Sequence, residues 1–236
     1  MAAQHPYTEH LDIRHSLAWF RLKQALLRLK RALDVKEPFD FVTYVGKAPI
    51  LLIGEGNLSF SASLLRRSGH SGRQIIATTF EPETTWTRPT VDNARHLRRQ
   101  GALVRGAVDA TRLKEHVRGK TFELIVFQFP NVGSRVPRYG RNPNHILVRH
   151  FLRSAGQHLE ETGQIVITTV NSSYYDGAFD MDGAAEASGF EKPVAHPFHF
   201  PEYPGYAHVN TLNDESAVDG ETEFVTLVFK PKRHYK

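Results

Sequence analysis

Gly54-Glu55-Gly56-Asn57 follows the apolar run Ile50-Leu51-Leu52-Ile53, and Ser59 opens a helix-like stretch directly after it. Glycines there let backbone approach a ligand closely, and a helix starting near Ser59 offers N–H groups to a cofactor carboxylate or phosphate. The loop has no third glycine for G-x-G-x-x-G, because Ser59 stands in that place, and no lysine for a phosphate-binding P-loop. By itself, a tight strand-to-helix turn explains the two glycines as well. Glu81 ends the next apolar run, and Asp109-Ala110 ends the one after that. Three successive strand ends therefore carry a glycine loop, an acid and an acid. An adenosine cofactor suits this series, since one carboxylate can accept both ribose hydroxyls and the next an adenine amino group. NAD uses the first acid equally well. S-adenosylmethionine has an α-carboxylate where NAD has pyrophosphate, so it needs fewer glycines and no phosphate clamp. Its expected contacts are Gly54, Glu55, Gly56, Asn57, Ser59, Glu81, Asp109 and Ala110. Each acid could instead cap a helix.

These positions require strands to present them. PILLIG, RQIIATTF, ALVRGAVD, FELIVFQF and GQIVITTV read as five strands. Between them, SFSASLLRRSG, TVDNARHLRRQGA, TRLKEHVRG and NHILVRHFLRSAGQHLEETG read as helical crossovers. MDGAAEASGF reads as a further helix and EFVTLVFKP as a last strand, after a Pro- and aromatic-rich connection. The expected fold is α/β: a Rossmann-like, doubly wound, mostly parallel sheet with helices on both faces and a late antiparallel strand. Residues 49–236 form this domain. Residues 1–48 are read as a basic amphipathic helix and linker, because Leu22, Leu26, Leu29 and Leu33 share one face and Arg21, Lys23, Arg28, Lys30 and Arg31 the other.

At 236 residues the chain fits one sizeable domain with that appendage. It contains no cysteine, which excludes disulfides and thiolate chemistry and fits a reducing compartment. The N-terminus has no signal-peptide pattern and no apolar run approaches the ~20 residues of a membrane span, so a cytoplasmic location is expected. A net charge of +5 favours anionic partners. The charge is polarised: Arg14–Arg31 holds six Lys/Arg and no acid, whereas Pro193–Phe229 holds six Asp/Glu and no Lys/Arg.

GEGNLSFS, VDAT and FQFPNVG together resemble the large-subunit ribosomal RNA uridine-N3 methyltransferase family. The family's G-E-G-N-[FL]-S-F-S loop matches Gly54 to Ser61, and its N…L…G…V…GVDAT segment matches Asn93, Leu97, Gly101, Val104, Gly106 and Val108-Asp109-Ala110-Thr111. Its NFPH-x-G segment corresponds to Phe129-Pro130-Asn131-Val132-Gly133, and Y-P-G-Y-x-H-x-x-T to Tyr203 through Thr211. The likeness spans about residues 49–230. It implies a Rossmann-like fold, S-adenosylmethionine as cofactor and RNA as substrate class. Two departures are Gln128 where the family has Asn and Asn131 where it has His.

A sulfonium methyl group is already activated, so the enzyme must chiefly align a nucleophile and exclude water. Gln128 and Asn131 could hold the N–H of an acceptor, and Phe129-Pro130 could form a ledge for a planar ring. Arg135, Arg138 and Arg141, with Tyr139 among them, suit phosphate and base contacts or an anionic small substrate. Tyr203, Tyr206 and His208 could fold over the acceptor, or an aromatic turn could merely pack the late strands. No H-E-x-x-H or G-x-S-x-G spacing occurs, so no metal is expected and hydrolase chemistry lacks support. Transfer to a small metabolite and a non-catalytic binding module are the competing readings.

Overall fold

The computed structural model describes residues 36–134, 136–138, 140–209, 216, 218 and 220–232. The basic helix expected over Arg14–Asp34 lies outside the described residues. The chain divides into two compact units, Met1–Glu37 and Pro38–Lys236, and everything below concerns the second. Phe41 and Val45 are fully buried in its core, so the stretch before the first strand packs with the sheet-bearing unit.

Among the described residues, seven strands form one sheet in the order β3-β2-β1-β4-β5-β7-β6. They are β1 (Ile50–Ile53), β2 (Ile75–Thr78), β3 (Leu103–Arg105), β4 (Phe122–Gln128), β5 (Leu159–Val170), β6 (Val194–Pro197) and β7 (Phe224–Phe229). Strands β1 to β5 are parallel, and β7 runs antiparallel to β5 and β6. Helices α1 (Ser59–Ser68), α2 (Arg88–Arg99), α3 (Leu113–His116) and α4 (Pro143–Gly156) make the crossovers, and α5 (Ser173–Phe179) and α6 (Met181–Glu186) follow β5. This is the expected doubly wound sheet with its late antiparallel strand. The apolar runs are continuous because both faces are covered. Along β1, Ile50 and Leu52 enter one core layer with α1 and α2, while Leu51 and Ile53 enter the other with α4 and α6. The chain winds outward from β1 to β3 and returns at β4, so the crevice between β1 and β4 is where a ligand belongs in such a sheet.

Four details depart from expectation. The helix expected through Gly163 stops at Gly156, and Leu159 already pairs with Phe122. The register then slips before Gln164 pairs with Leu124, at a place where a Cβ on Gly163 would lie 2.7 Å from the Phe122 carbonyl oxygen. Strands β2 and β3 end early, at Thr78 and Arg105, so Glu81 and Asp109 stand on the loops beyond them. The connection after α6 contains a strand of its own, β6. Helix α5 was hidden in a short polar segment capped by Ser172, whose hydroxyl accepts from the Tyr175 N–H.

Candidate active site

Beyond β1 the loop is laced to the end of β2. Glu55 N–H donates to the Thr78 carbonyl at 2.9 Å, Gly54 N–H to Thr78 Oγ1 at 3.3 Å, and that hydroxyl donates to the Leu52 carbonyl at 2.9 Å. Gly54 has φ +61°, and a Cβ there would meet the Phe127 ring at 2.8 Å. The first turn of α1 is closed by the protein itself. Asn57 Oδ1 accepts from Ser59 N–H at 3.1 Å, and the Glu55 carboxylate accepts from Ser61 N–H at 3.0 Å and from the Ser61 hydroxyl. The free N–H groups expected to meet a cofactor anion are therefore taken by Asn57 and Glu55, both of which also line the cavity described below. Burial pushes the Glu55 carboxyl up to about 7, although the contacts from Ser61 and Phe60 pull the other way. Gly56 serves the chain too: a Cβ on it would lie 1.9 Å from the Val209 carbonyl oxygen, so the close approach expected of a ligand is made by the backbone at Val209.

Val209 belongs to a strap that crosses α1. Ser59 Oγ donates to the Ala207 carbonyl at 3.0 Å and accepts from the Ala207 N–H at 3.1 Å. One turn on, Ser63 Oγ donates to the Pro204 carbonyl at 3.0 Å, and Arg66 Nη2 reaches the same oxygen at 3.2 Å. These residues recur at helical spacing along one side of α1. Ser59 thus acts through the strap and does not line the cavity. Tyr206 and His208 hang from the strap into the cavity. Tyr203 does not: it is buried, stacks on Phe198 at 5.3 Å and carries Arg67 over its ring at 4.9 Å. Its expected substrate contact is replaced by a place in the core.

The cavity, about 640 Å³, lies at the carboxyl ends of the strands, in the size range of a ligand pocket. Gly54, Glu55, Gly56 and Asn57 form one wall, with Glu81, Asp109 and Ala110 on the rim and Gln128 and Phe129 at the β4 end. Glu81 is fixed through its carbonyl, which accepts from Thr79 Oγ1 at 2.7 Å and Ala107 N–H at 2.9 Å. Its Oε2 is buried with no hydrogen-bond partner among the described residues. Such an orphaned acceptor is costly unless a ligand hydroxyl fills it. Asp109 Oδ1 is committed to the N–H and hydroxyl of Thr111, at 2.8 and 2.7 Å, as the cap of a short 3-10 turn. One of its oxygens therefore holds the protein, and the other faces Arg112 Nε at 3.9 Å. These acceptors fit the adenosyl part of S-adenosylmethionine, which brings hydroxyls and an amino group to donate.

At the end of β4, Phe129 is held at φ +48°, a strained value for a residue with a side chain, and its N–H donates to the Thr168 carbonyl at 2.8 Å. Its ring is not the bare ledge expected. Phe200 stacks on it at 5.7 Å and His208 meets it edge-on at 4.9 Å. Gln128 is buried, and neither its Nε2 nor its Oε1 has a partner among the described residues. A second cavity of about 190 Å³ shares Phe129, Asn131, Gly133 and His208 with the first and is bounded by Pro130, Tyr174 and Tyr175. Arg138 and Arg141 pair through their backbones in an exposed turn, and Arg141 Nη1 lies 3.2 Å from His145 Nε2. Neither lines either of these two cavities. Arg135 and Tyr139 fall outside the described residues. No cluster of three His, Asp or Glu able to hold a metal occurs among the described residues. Sequence reasoning missed Tyr174 and Tyr175, because the helix that presents them was not recognised. It also missed Ser63 and Arg66, although their spacing from Ser59 was a readable signal.

Residues 51–210 match the BMT5-like family, described as rRNA (uridine-N3-)-methyltransferase. An uncharacterised Arabidopsis thaliana protein, At4g26485, is 32% identical over 175 residues, covering 69% of this chain and 82% of its own. The mouse ferredoxin-fold anticodon-binding domain-containing protein 1 homolog is 28% identical over 171 residues, 66% of this chain but 27% of its own length. Among solved structures, a TehB-like SAM-dependent methyltransferase from Corynebacterium glutamicum aligns at 18% identity and a TM-score of 0.44, over 95% of this chain and 100% of its own. With the family match over residues 51–210 and a cavity fit for an adenosyl cofactor, the chain belongs to the BMT5-like methyltransferase family and is an S-adenosylmethionine-dependent methyltransferase.

Proposed function

We propose that the protein transfers the cofactor's methyl group to a pyrimidine ring nitrogen, of the uridine N3 kind, in ribosomal RNA. The observation that carries this reading is Gln128, a buried amide with both polar atoms unpartnered among the described residues, on the wall of the cofactor cavity beside the smaller cavity. A pyrimidine imide offers a ring N–H flanked by two carbonyls. The nitrogen must face the methyl group in the ring plane, so Gln128 Nε2 serves a flanking carbonyl and stabilises the charge that builds on it as the N–H proton leaves. S-adenosylmethionine supplies an electrophilic carbon on sulfur. Phe129, Asn131 and Gly133, common to both cavities, keep water from the line of transfer.

No lysine or arginine lines either cavity among the described residues, which suits a neutral ring and disfavours a carboxylated small substrate. Arg138 and Arg141 stand outside, exposed, where a phosphate backbone can reach them. The six Lys/Arg of Arg14–Arg31 add to that electrostatic preference. Incubation of the protein with methyl-labelled cofactor and total RNA, followed by nucleoside mass spectrometry, tests the reading. Label in N3-methyluridine from ribosomal RNA is expected. Label found only in small molecules overturns it.

A further inference from the structure

An imide nitrogen is a poor nucleophile while it holds its proton, so methylation needs a proton acceptor at the point where acceptor and cofactor meet. Four described residues line both cavities: Phe129, Asn131, Gly133 and His208. Of these, only His208 can take a proton near neutral pH. We infer that His208 is the general base of the reaction, an inference that rests on the imide-methylation reading above. Its ring stands edge-on to Phe129 at 4.9 Å, and its Nδ1 lies 3.3 Å from Ser216 Oγ, which helps to fix the ring's orientation. The strap that carries it is anchored on α1 through Ser59, so the imidazole is held by a fixed backbone.

The other ionisable groups around the cavities are poorer candidates. Glu81 and Asp109 stand on the rim beyond β2 and β3, away from the smaller cavity, and Asp109 is partly committed to Thr111. Glu55 is absent from the smaller cavity and spends its carboxylate on Ser61. Tyr206, two residues before His208, is held well above its usual range by burial and then by Glu55, so it keeps its proton. Tyr174 and Tyr175 border the smaller cavity alone. Proton transfer comes first: the ring N–H proton passes to the His208 imidazole, which leaves the in-plane position at nitrogen open to the methyl group. The nitrogen pair forms the bond to the methyl carbon, and the carbon–sulfur bond breaks with its pair remaining on sulfur, which becomes a neutral thioether. The imidazolium then returns its proton to solvent.

The test is single-turnover methylation across pH with wild type and His208→Gln, using ribosomal RNA and RNA containing 5-fluorouridine, whose ring N–H is more acidic. The wild-type rate is expected to rise through the histidine range, near pH 6.5, and level off above about pH 8. The variant is expected to lose about 10²–10⁴-fold at pH 7 and to keep rising with pH. It is expected to recover at least tenfold of that loss on 5-fluorouridine RNA, with cofactor affinity within about twofold of wild type by calorimetry. A variant loss under about threefold, or a loss equal at every pH and on both RNAs, overturns the assignment. Should the variant fail to fold, the wild-type profile decides: a rate that climbs without a plateau to pH 9, or is flat throughout, excludes a histidine base. Wild-type protein that methylates no uridine at all overturns the functional reading itself and the inference with it.

Discussion

Ser59 Oγ makes two bonds to one residue of the strap, donating to the Ala207 carbonyl at 3.0 Å and accepting from the Ala207 N–H at 3.1 Å. A hydroxyl can do both at once, and no other side chain of its size can. The first residue of α1 thereby holds the segment whose next two members, His208 and Val209, face the cavity. Ser59→Ala leaves the N–H and carbonyl of Ala207 without their side-chain partner, in a part-buried contact. The expected result is a loss of about 1–3 kcal/mol in unfolding free energy and weaker cofactor binding, measured by urea denaturation and calorimetry. Binding that is unchanged would mean the strap is held by Pro204 alone.

Gly56 and Val209 meet so closely that a methyl group cannot be admitted. A Cβ at Gly56 would stand 1.9 Å from the Val209 carbonyl oxygen, which is backbone and cannot swing aside as a side chain does. Gly56→Ala is therefore expected to displace the strap, lowering cofactor affinity by more than tenfold at a cost of a few kcal/mol in stability. Gly69→Ala is an informative comparison, since its Cβ meets nothing and only its φ of +65° resists substitution. Equal effects of the two substitutions on cofactor affinity would refute the crowding argument.

Glu55 makes stability fall as pH rises. Its carboxyl is pushed up to about 7 from 4.5, mainly by burial, so the folded state binds the proton more tightly than the unfolded state does. Stability is then greatest below about pH 4.5 and declines until about pH 7, above which the full difference has been lost. Glu55→Gln removes that dependence while leaving one oxygen for Ser61. Relative to wild type, the variant is expected to gain on the order of 2–3 kcal/mol between pH 4.5 and pH 8, whatever its standing at low pH. Urea midpoints at the two pH values check this. A difference between the proteins that does not change with pH rejects a buried, proton-holding Glu55.

The fold was legible because its strands are buried on both faces and so appear as unbroken apolar runs, of which Ile50–Ile53 and Phe122–Gln128 are the clearest. Gly156 and Gly163 show where legibility ended: the helix stop and the register slip depend on what the backbone meets across β4, which no local pattern records. The site was legible as positions more than as roles. Gly54, Glu81, Asp109 and Gln128 do line one cavity, as three strand ends and a fourth should. Asn57 and Glu55, however, are engaged with the first turn of α1, and Gly56 meets Val209, a partner too distant along the chain for any local pattern to record. Tyr203 fell on the core side for the same reason, since its companions Phe41, Phe60 and Phe198 come from three separate segments.

Glu81 and Asp109 occupy the same rim but differ in what they already hold, and that difference separates their variants. Glu81 Oε2 is buried and unpartnered among the described residues, so the protein gains nothing from it until a ligand donor arrives. Asp109 is half spent, its Oδ1 accepting two bonds from Thr111. Glu81→Leu is expected to weaken S-adenosylmethionine binding by tenfold or more while leaving the melting temperature unchanged or raised. Asp109→Ala is expected to lower both, with the loss of its cap amounting to about 1 kcal/mol. Calorimetry for affinity and thermal melts without cofactor give the two readouts independently. If Glu81→Leu destabilises the free protein while binding stays intact, the orphaned oxygen is a structural element and the ribose end of the cavity must be sought elsewhere.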